Sequence, residues 1–151
     1  MPMIDGTDYV LCTKTTRMTS AGVTTGFVVG LPNCIVCLPT RAFAGAGRTH
    51  VRTTYSLAEG PPLTVVQAML ADPQVTPQQA ESTLRELASK SEAALVVETA
   101  RLAALRIKLG WFSRGLYYKQ PGDRGWSGFP LSDGAACAKA FARFYADQLR
   151  E

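Results

Sequence analysis

Alternation of apolar and polar residues predicts a β-rich first part of the chain. Four segments have the Val, Leu, Thr and Cys content or the period of two that suits a pleated, half-buried surface: residues 9–18, 23–29, 34–38 and 49–57. Pro32 and Asn33 favour a tight turn before the third strand, and residues 40–48 are predicted to be a loop rich in Gly and Ala. Because the turns are short, we predict a four-stranded antiparallel meander, with His50 and Arg52 on its solvent side.

Helical periodicity begins after the Gly-Pro-Pro sequence at residues 60–62. A short helix is predicted for residues 63–71, and Thr76, Pro77 and Gln79 have the chemistry of a helix start. From there a single apolar stripe continues at helical spacing to residue 109: Leu84, Leu87, Ala88, Ser91, Leu95, Leu102, Leu105 and Leu109. We predict one long central helix, although a break near residues 89–91 would divide it into two.

The second half of this predicted helix is apolar around its whole circumference. Its opposite face also has apolar residues: Val96, Val97, Ala100, Ala103, Ala104 and Ile107. A helix of this kind has to be covered on more than one side. We expect the sheet on one side, and the C-terminal helix or a second subunit on the other.

The C-terminal third predicts a second hairpin and a last helix. Strands are predicted for residues 116–119 and 126–131, with a turn between them, and an amphipathic helix for residues 135–150. The fold class is therefore α+β: an N-terminal antiparallel meander packed on a long central helix, then a second β-hairpin and a C-terminal helix. We expect one domain over residues 1–151, β-rich in 1–60 and helical plus hairpin in 61–151.

Composition restricts the class of protein without naming its function. With 151 residues, 46% hydrophobic and 19% charged, the chain resembles a folded domain rather than a disordered or fibrous one. The net charge of +4 permits nucleic-acid or acidic partners. The start of the chain has no basic region followed by an apolar core, and the most apolar run, residues 27–38, is too short to span a bilayer. We therefore expect a cytoplasmic protein with no membrane partner.

Metal-binding and catalytic groupings are incomplete. Cys34 and Cys37 have the spacing of half a zinc knuckle, but residues three apart in a strand face opposite sides, so a metal site is disfavoured. His50 is the only histidine, and no nucleophile motif accompanies it. The sequence thus predicts no catalytic residue and no cofactor, and it favours a protein that is not an enzyme.

The first functional hypothesis is therefore an interaction or assembly module that packs on a second copy or on a protein partner. Its interface would be formed by the long apolar helix and the C-terminal helix. Glu98 lies on the apolar stripe, where Arg101 is a reachable ion-pair partner. The candidate interface residues are Val96, Val97, Glu98, Ala100, Leu102, Ala104, Phe141 and Phe144.

The alternative hypothesis is single-stranded nucleic-acid binding by residues 101–126. No acidic residue occurs between Glu98 and Asp123, and cationic and aromatic residues alternate there. Bases stack on aromatic rings while cations hold phosphates, which is the chemistry that single strands require. The candidate residues are Arg101, Arg106, Lys108, Trp111, Arg114, Tyr117, Tyr118, Lys119 and Trp126.

Overall fold

A computed structural model describes residues 3–19, 22–43, 62–90, 94–110, 114–132 and 134–149. Seven strands and three α-helices occur among these residues: β1 (Val10–Thr19), β2 (Gly22–Gly30), β3 (Cys34–Phe43), α1 (Pro62–Ala71), α2 (Pro77–Ser89), β4 (Leu95–Glu98), β5 (Ala104–Leu109), β6 (Arg114–Lys119), β7 (Ser127–Pro130) and α3 (Ala135–Phe144). Short 3₁₀ turns cover Thr99–Arg101 and Ala146–Gln148. The predicted α+β class is confirmed.

The first sheet is antiparallel, in the order β1-β2-β3-β4, and residues 27–29 and 34–38 at its centre are buried on both of its faces. Consecutive residues of β3 alternate between two apolar clusters: Cys34, Val36 and Leu38 lie in one, Ile35 and Cys37 in the other. A strand that is covered on both faces has to be apolar at nearly every position, which explains the apolar run that the sequence shows here.

Helices α1 and α2 cover one face of this sheet. Val66 and Leu70 of α1, and the Ala80, Leu84 and Ala88 stripe of α2, complete the first cluster. The predicted start of α2 is confirmed, because the Gln79 backbone N–H donates to the Thr76 hydroxyl at 3.1 Å and the Thr76 N–H donates to Gln79 Oε1 at 2.9 Å. This reciprocal cap satisfies two N–H groups that the helix cannot pair internally.

Helix α3 and a second, three-stranded antiparallel sheet in the order β5-β6-β7 form the other cluster with the first sheet. Phe141 and Tyr145 from the C-terminal segment lie there beside Leu105, Leu116 and Phe129 from the second sheet. The second sheet therefore buries one face against the rest of the protein.

The single long helix over residues 76–109 is wrong. Helix α2 ends at Ser89, and the residues from Leu95 onward form β4, the 3₁₀ turn and β5. The helical prediction places Val96 and Val97 together on the second apolar face of the helix, but in β4 they contribute to the two clusters on opposite faces of the sheet. β-Branched residues favour that extended conformation. Residues 95–98 are covered on two sides, as expected, but they form a strand rather than part of a helix.

Other boundaries agree with the predictions or differ by a few residues. The first three strands, helix α1 and the β6–β7 hairpin are confirmed. Strand β3 continues to Phe43, where a loop was expected from residue 40, and α3 ends at Phe144 rather than near residue 150. The predicted strand at residues 49–57 lies outside the described residues, and within them β4 is the fourth strand of the sheet. In the described part of the chain, no helix is long and apolar enough to cross a membrane.

Tyr145 fixes the C-terminal segment to the β2–β3 turn. Its hydroxyl donates to the Leu31 carbonyl at 2.8 Å, and its side chain is buried. Gly30 leaves room for this contact, because a Cβ atom at Gly30 would lie 2.7 Å from the Tyr145 hydroxyl oxygen. Burial raises the pKa of Tyr145 well above its ordinary value, so the hydroxyl keeps its proton and remains a donor.

We predict that Tyr145→Phe lowers the free energy of unfolding by about 1–2 kcal/mol, because the Leu31 carbonyl loses its buried donor. Urea denaturation measures this loss. Tyr117→Phe is the matched control: it removes a hydroxyl from a partly exposed ring and should cost less than about 0.5 kcal/mol. Equal losses in the two variants would show that the Tyr145 hydrogen bond does not stabilise the fold.

Candidate nucleic-acid interface

The second sheet has two different faces. Leu105, Leu116, Tyr118 and Phe129 point into the core. The register places the intervening residues on the opposite face: Arg106 lies opposite Tyr117, and Lys119 lies opposite Ala104. We define the cationic-aromatic face by five partly exposed residues that contact one another there: Arg106, Lys108, Tyr117, Lys119 and Trp126.

The Tyr117 ring lies over two glycines, Gly128 on the neighbouring strand β7 and Gly115 on its own strand β6. A Cβ atom at Gly128, its partner on β7, would be 2.5 Å from Tyr117 Cδ1, and one at Gly115 would be 3.0 Å from Tyr117 Cε2. The absence of side chains at these two positions lets the ring lie close to the sheet.

Each aromatic ring of this face contacts a cation. Arg106 Cζ lies 4.6 Å and Lys119 Nζ 5.1 Å from the Trp126 ring centroid, while Lys108 Nζ lies 5.1 Å from that of Tyr117. These distances are within the range of cation–π attraction. Such contacts hold the three cations over the rings.

Carboxylates do not neutralise these cations within the described ranges. None of Arg106, Lys108 and Lys119 forms an ion pair with a described residue. Arg106 Nε is buried and has no hydrogen-bond partner there. The arrangement can therefore accept an anionic ligand with planar groups.

The structure places the other candidate nucleic-acid residues differently. Arg101 is exposed in the 3₁₀ turn that precedes β5, and Arg114 begins β6 on the same side as Leu116. Tyr118 is only 8% exposed and points into the core, so its ring is not available for stacking. Trp111 lies outside the described residues. Gly115 and Gly128 were missed, although pairing the two predicted strands places a glycine opposite the tyrosine.

The eight candidate interface residues do not share one helical surface. Val96, Val97 and Glu98 are in β4, Ala100 is in the 3₁₀ turn, Leu102 follows it, Ala104 begins β5, and Phe141 and Phe144 are in α3. Val97 and Phe141 are buried within this chain. Among the described residues, Ile4 and Leu109 are the exposed large hydrophobics. The association hypothesis thus loses its long helix and stays a prediction.

Glu98 pairs with Arg85 of α2 rather than with the predicted Arg101. Arg85 Nη1 and Nη2 donate to its two carboxylate oxygens at 2.5 and 2.8 Å, and Arg85 Nε donates to Glu81 at 3.2 Å. The hydrogen bonds from Arg85 lower the pKa of Glu98, and the charge of Arg101 lowers it further. The sequence could not reveal this pair, because it depends on strand β4 lying beside α2.

The two cysteines at the start of β3 point to opposite faces of the sheet, as their spacing predicts. Cys34 and Cys37 lie in different clusters on opposite faces of β3. Burial raises the pKa of the Cys34 thiol to about 11, which keeps it protonated at neutral pH. Within the described residues, no group of three or more His, Cys, Asp or Glu side chains is placed to hold a metal ion.

Comparison with known proteins does not identify this chain: no protein-family model, curated protein or solved structure matches it.

We predict that Glu98→Gln lowers the free energy of unfolding by about 0.5–1 kcal/mol near neutral pH, because the pair with Arg85 is only partly exposed. Since the pKa of Glu98 is lower in the folded state, its ion pair stabilises the protein above the unfolded-state pKa. This contribution is lost as the pH falls through the folded-state pKa, so the variant and the original protein should converge in acid.

Urea denaturation at a series of pH values measures the effect. Glu86→Gln is the control, because that carboxylate is 71% exposed and lies 3.9 Å from Lys90. Glu86→Gln should change the free energy of unfolding only slightly at any pH. If the loss of unfolding free energy in Glu98→Gln did not change with pH, the stabilising ion pair between Glu98 and Arg85 would be contradicted.

Proposed function

We propose that the protein binds single-stranded nucleic acid on the cationic-aromatic face. The observation that supports this most directly is the register of β5, β6 and β7, which brings three cations and two aromatic rings to one side of a sheet whose other side is buried. Single strands are bound in this way, with bases on aromatic rings and phosphates beside lysine and arginine.

The spacing on this face suits an extended single strand whose bases lie on separate rings. Residues two apart along a strand are separated by about 6.6 Å. Tyr117 lies one such step from Lys119, whose neighbour across the turn is Trp126. The Trp126 ring lies beside Lys119, one step along β6 from Tyr117, and each of the two rings has a cation next to it.

A structural role for the same contacts is the competing interpretation. Cation–π pairs between Arg106, Lys119 and Trp126 also stabilise the hairpin itself. That role predicts a loss of stability on substitution but no affinity for oligonucleotides. The two interpretations therefore differ in binding and in its dependence on salt.

We expect Lys119→Gln to weaken binding of a single-stranded oligonucleotide and to reduce the slope of log K against log salt by about 0.7, the value for one phosphate contact on a single strand. Lys139→Gln is the matched control, because Lys139 is an exposed lysine on α3, away from this face. It should leave both the affinity and the slope unchanged.

Titrations followed by fluorescence anisotropy at about 50 and about 200 mM salt test this expectation. Equal slopes for the two variants would show that Lys119 does not contact the strand. If the unmodified protein shows no saturable binding at the lower salt concentration, the proposed function is wrong.

We expect Trp126→Leu to weaken binding at least fivefold, because a stacked base contributes about 1–3 kcal/mol. Trp126→Phe, which keeps an aromatic ring, should recover part of the affinity. Circular dichroism establishes that both variants are folded. Unchanged binding by a folded Trp126→Leu variant would contradict stacking on this residue.

A further inference from the structure

A pocket of about 410 Å³ lies beside the end of the cationic-aromatic face. It is lined by residues of β4, of the segment that follows it and of the β6–β7 turn: Val96, Glu98, Arg101, Leu102, Gln120 and Pro121. Its volume is within the range of pockets that hold one small organic molecule.

The pocket combines apolar walls with three polar groups. Val96, Leu102 and Pro121 supply the apolar surface, and Glu98, Arg101 and Gln120 supply the polar groups. Arg85 holds the Glu98 carboxylate in place from outside this lining. The Glu98 side chain is still 39% exposed, and each of its oxygens has a second lone pair that can accept a further hydrogen bond.

Arg101 supplies a cation at the same pocket. It is exposed and forms no ion pair within the part of the chain that the structure describes. A ligand that fits these groups therefore presents a hydrogen-bond donor to Glu98, an anion to Arg101 and an apolar surface to Val96, Leu102 and Pro121.

The pocket is continuous in sequence with the cationic-aromatic face. Gln120 directly follows Lys119, and the Ala103 backbone N–H donates to the Lys119 carbonyl at 2.8 Å, which holds the segment after Leu102 against β6. The pocket and the face are therefore joined through the end of β6, where Gln120 lines the pocket and Lys119 belongs to the face.

We propose that this pocket binds one base of the single strand by accepting a hydrogen bond from its exocyclic amino group at Glu98, while Arg101 holds the neighbouring phosphate. This inference rests on the proposed function, to which it adds a base preference. A carboxylate can only accept hydrogen bonds, so it favours the N4 amino group of cytosine and repels the O4 carbonyl oxygen of uracil. Cytosine and uracil have the same ring shape and differ at this position and at N3, which carries a proton only in uracil, so the preference requires the Glu98 contact to be made at position 4.

The test compares oligodeoxynucleotides of equal length made only of deoxycytidine or only of deoxyuridine. We expect the cytidine strand to bind about tenfold more tightly to the unmodified protein, the effect of one good base-specific contact. Equal affinity, or tighter binding of the uridine strand, would overturn the pocket assignment and leave the proposed function intact. Absence of binding to either strand would instead refute the proposed function.

Variants then identify the group responsible. Glu98→Gln presents an amide that both donates and accepts, so the affinity ratio should fall close to one while the uridine strand still binds. Glu86→Gln, the matched change on an exposed carboxylate of α2, should keep the ratio. Arg101→Gln should weaken both strands equally. A tenfold preference for the cytidine strand that survives in Glu98→Gln would contradict the proposal. If that variant does not fold, the comparison of the two strands in the unmodified protein still tests the base preference.

Discussion

Burial of strand β3 on both of its faces is the constraint on which the rest of the structure depends. Val36 and Leu38 need cover on one side, Ile35 and Cys37 on the other. Helices α1 and α2 supply the first cover; α3 and the second sheet supply the second. Because apolar residues left in water would cost free energy in proportion to their area, both layers are required. The buried Tyr145 hydrogen bond to Leu31 then joins the C-terminal segment to this centre.

The second sheet faces the core on only one side, and the function that we propose for it rests on that asymmetry. Leu105, Leu116 and Phe129 are used for packing, so the alternate positions of the same strands are available for polar chemistry. In a strand this division is automatic, since successive side chains point to opposite faces. The glycines opposite and beside Tyr117 leave the ring close to the sheet, and the pocket at Glu98 lies where the paired strands end.

Sequence patterns predicted the elements whose signals are local. The Thr76 and Gln79 cap, the first three strands and the β6–β7 hairpin each depend on residues a few positions apart. Residues 95–107 were misassigned because an apolar run with Val96 and Val97 fits either a covered helix or a strand buried on both faces, and only tertiary partners decide between them. The Glu98–Arg85 pair could not be predicted for the same reason. The sequence identified the cationic and aromatic residues of the candidate site. It could not show that Tyr117 lies on the partly exposed face and Tyr118 in the core, because this depends on how β5 and β6 pair.

The most direct test of the account is an NMR titration of the ¹⁵N-labelled protein with a single-stranded oligonucleotide. Binding on the cationic-aromatic face should shift the indole N–H signal of Trp126 and the backbone amides of Tyr117 and Lys119. The amides of α1, which lies on the opposite side of the first sheet, should remain in place. Shifts confined to α1 and α2, or no shifts at saturating oligonucleotide, would contradict the account.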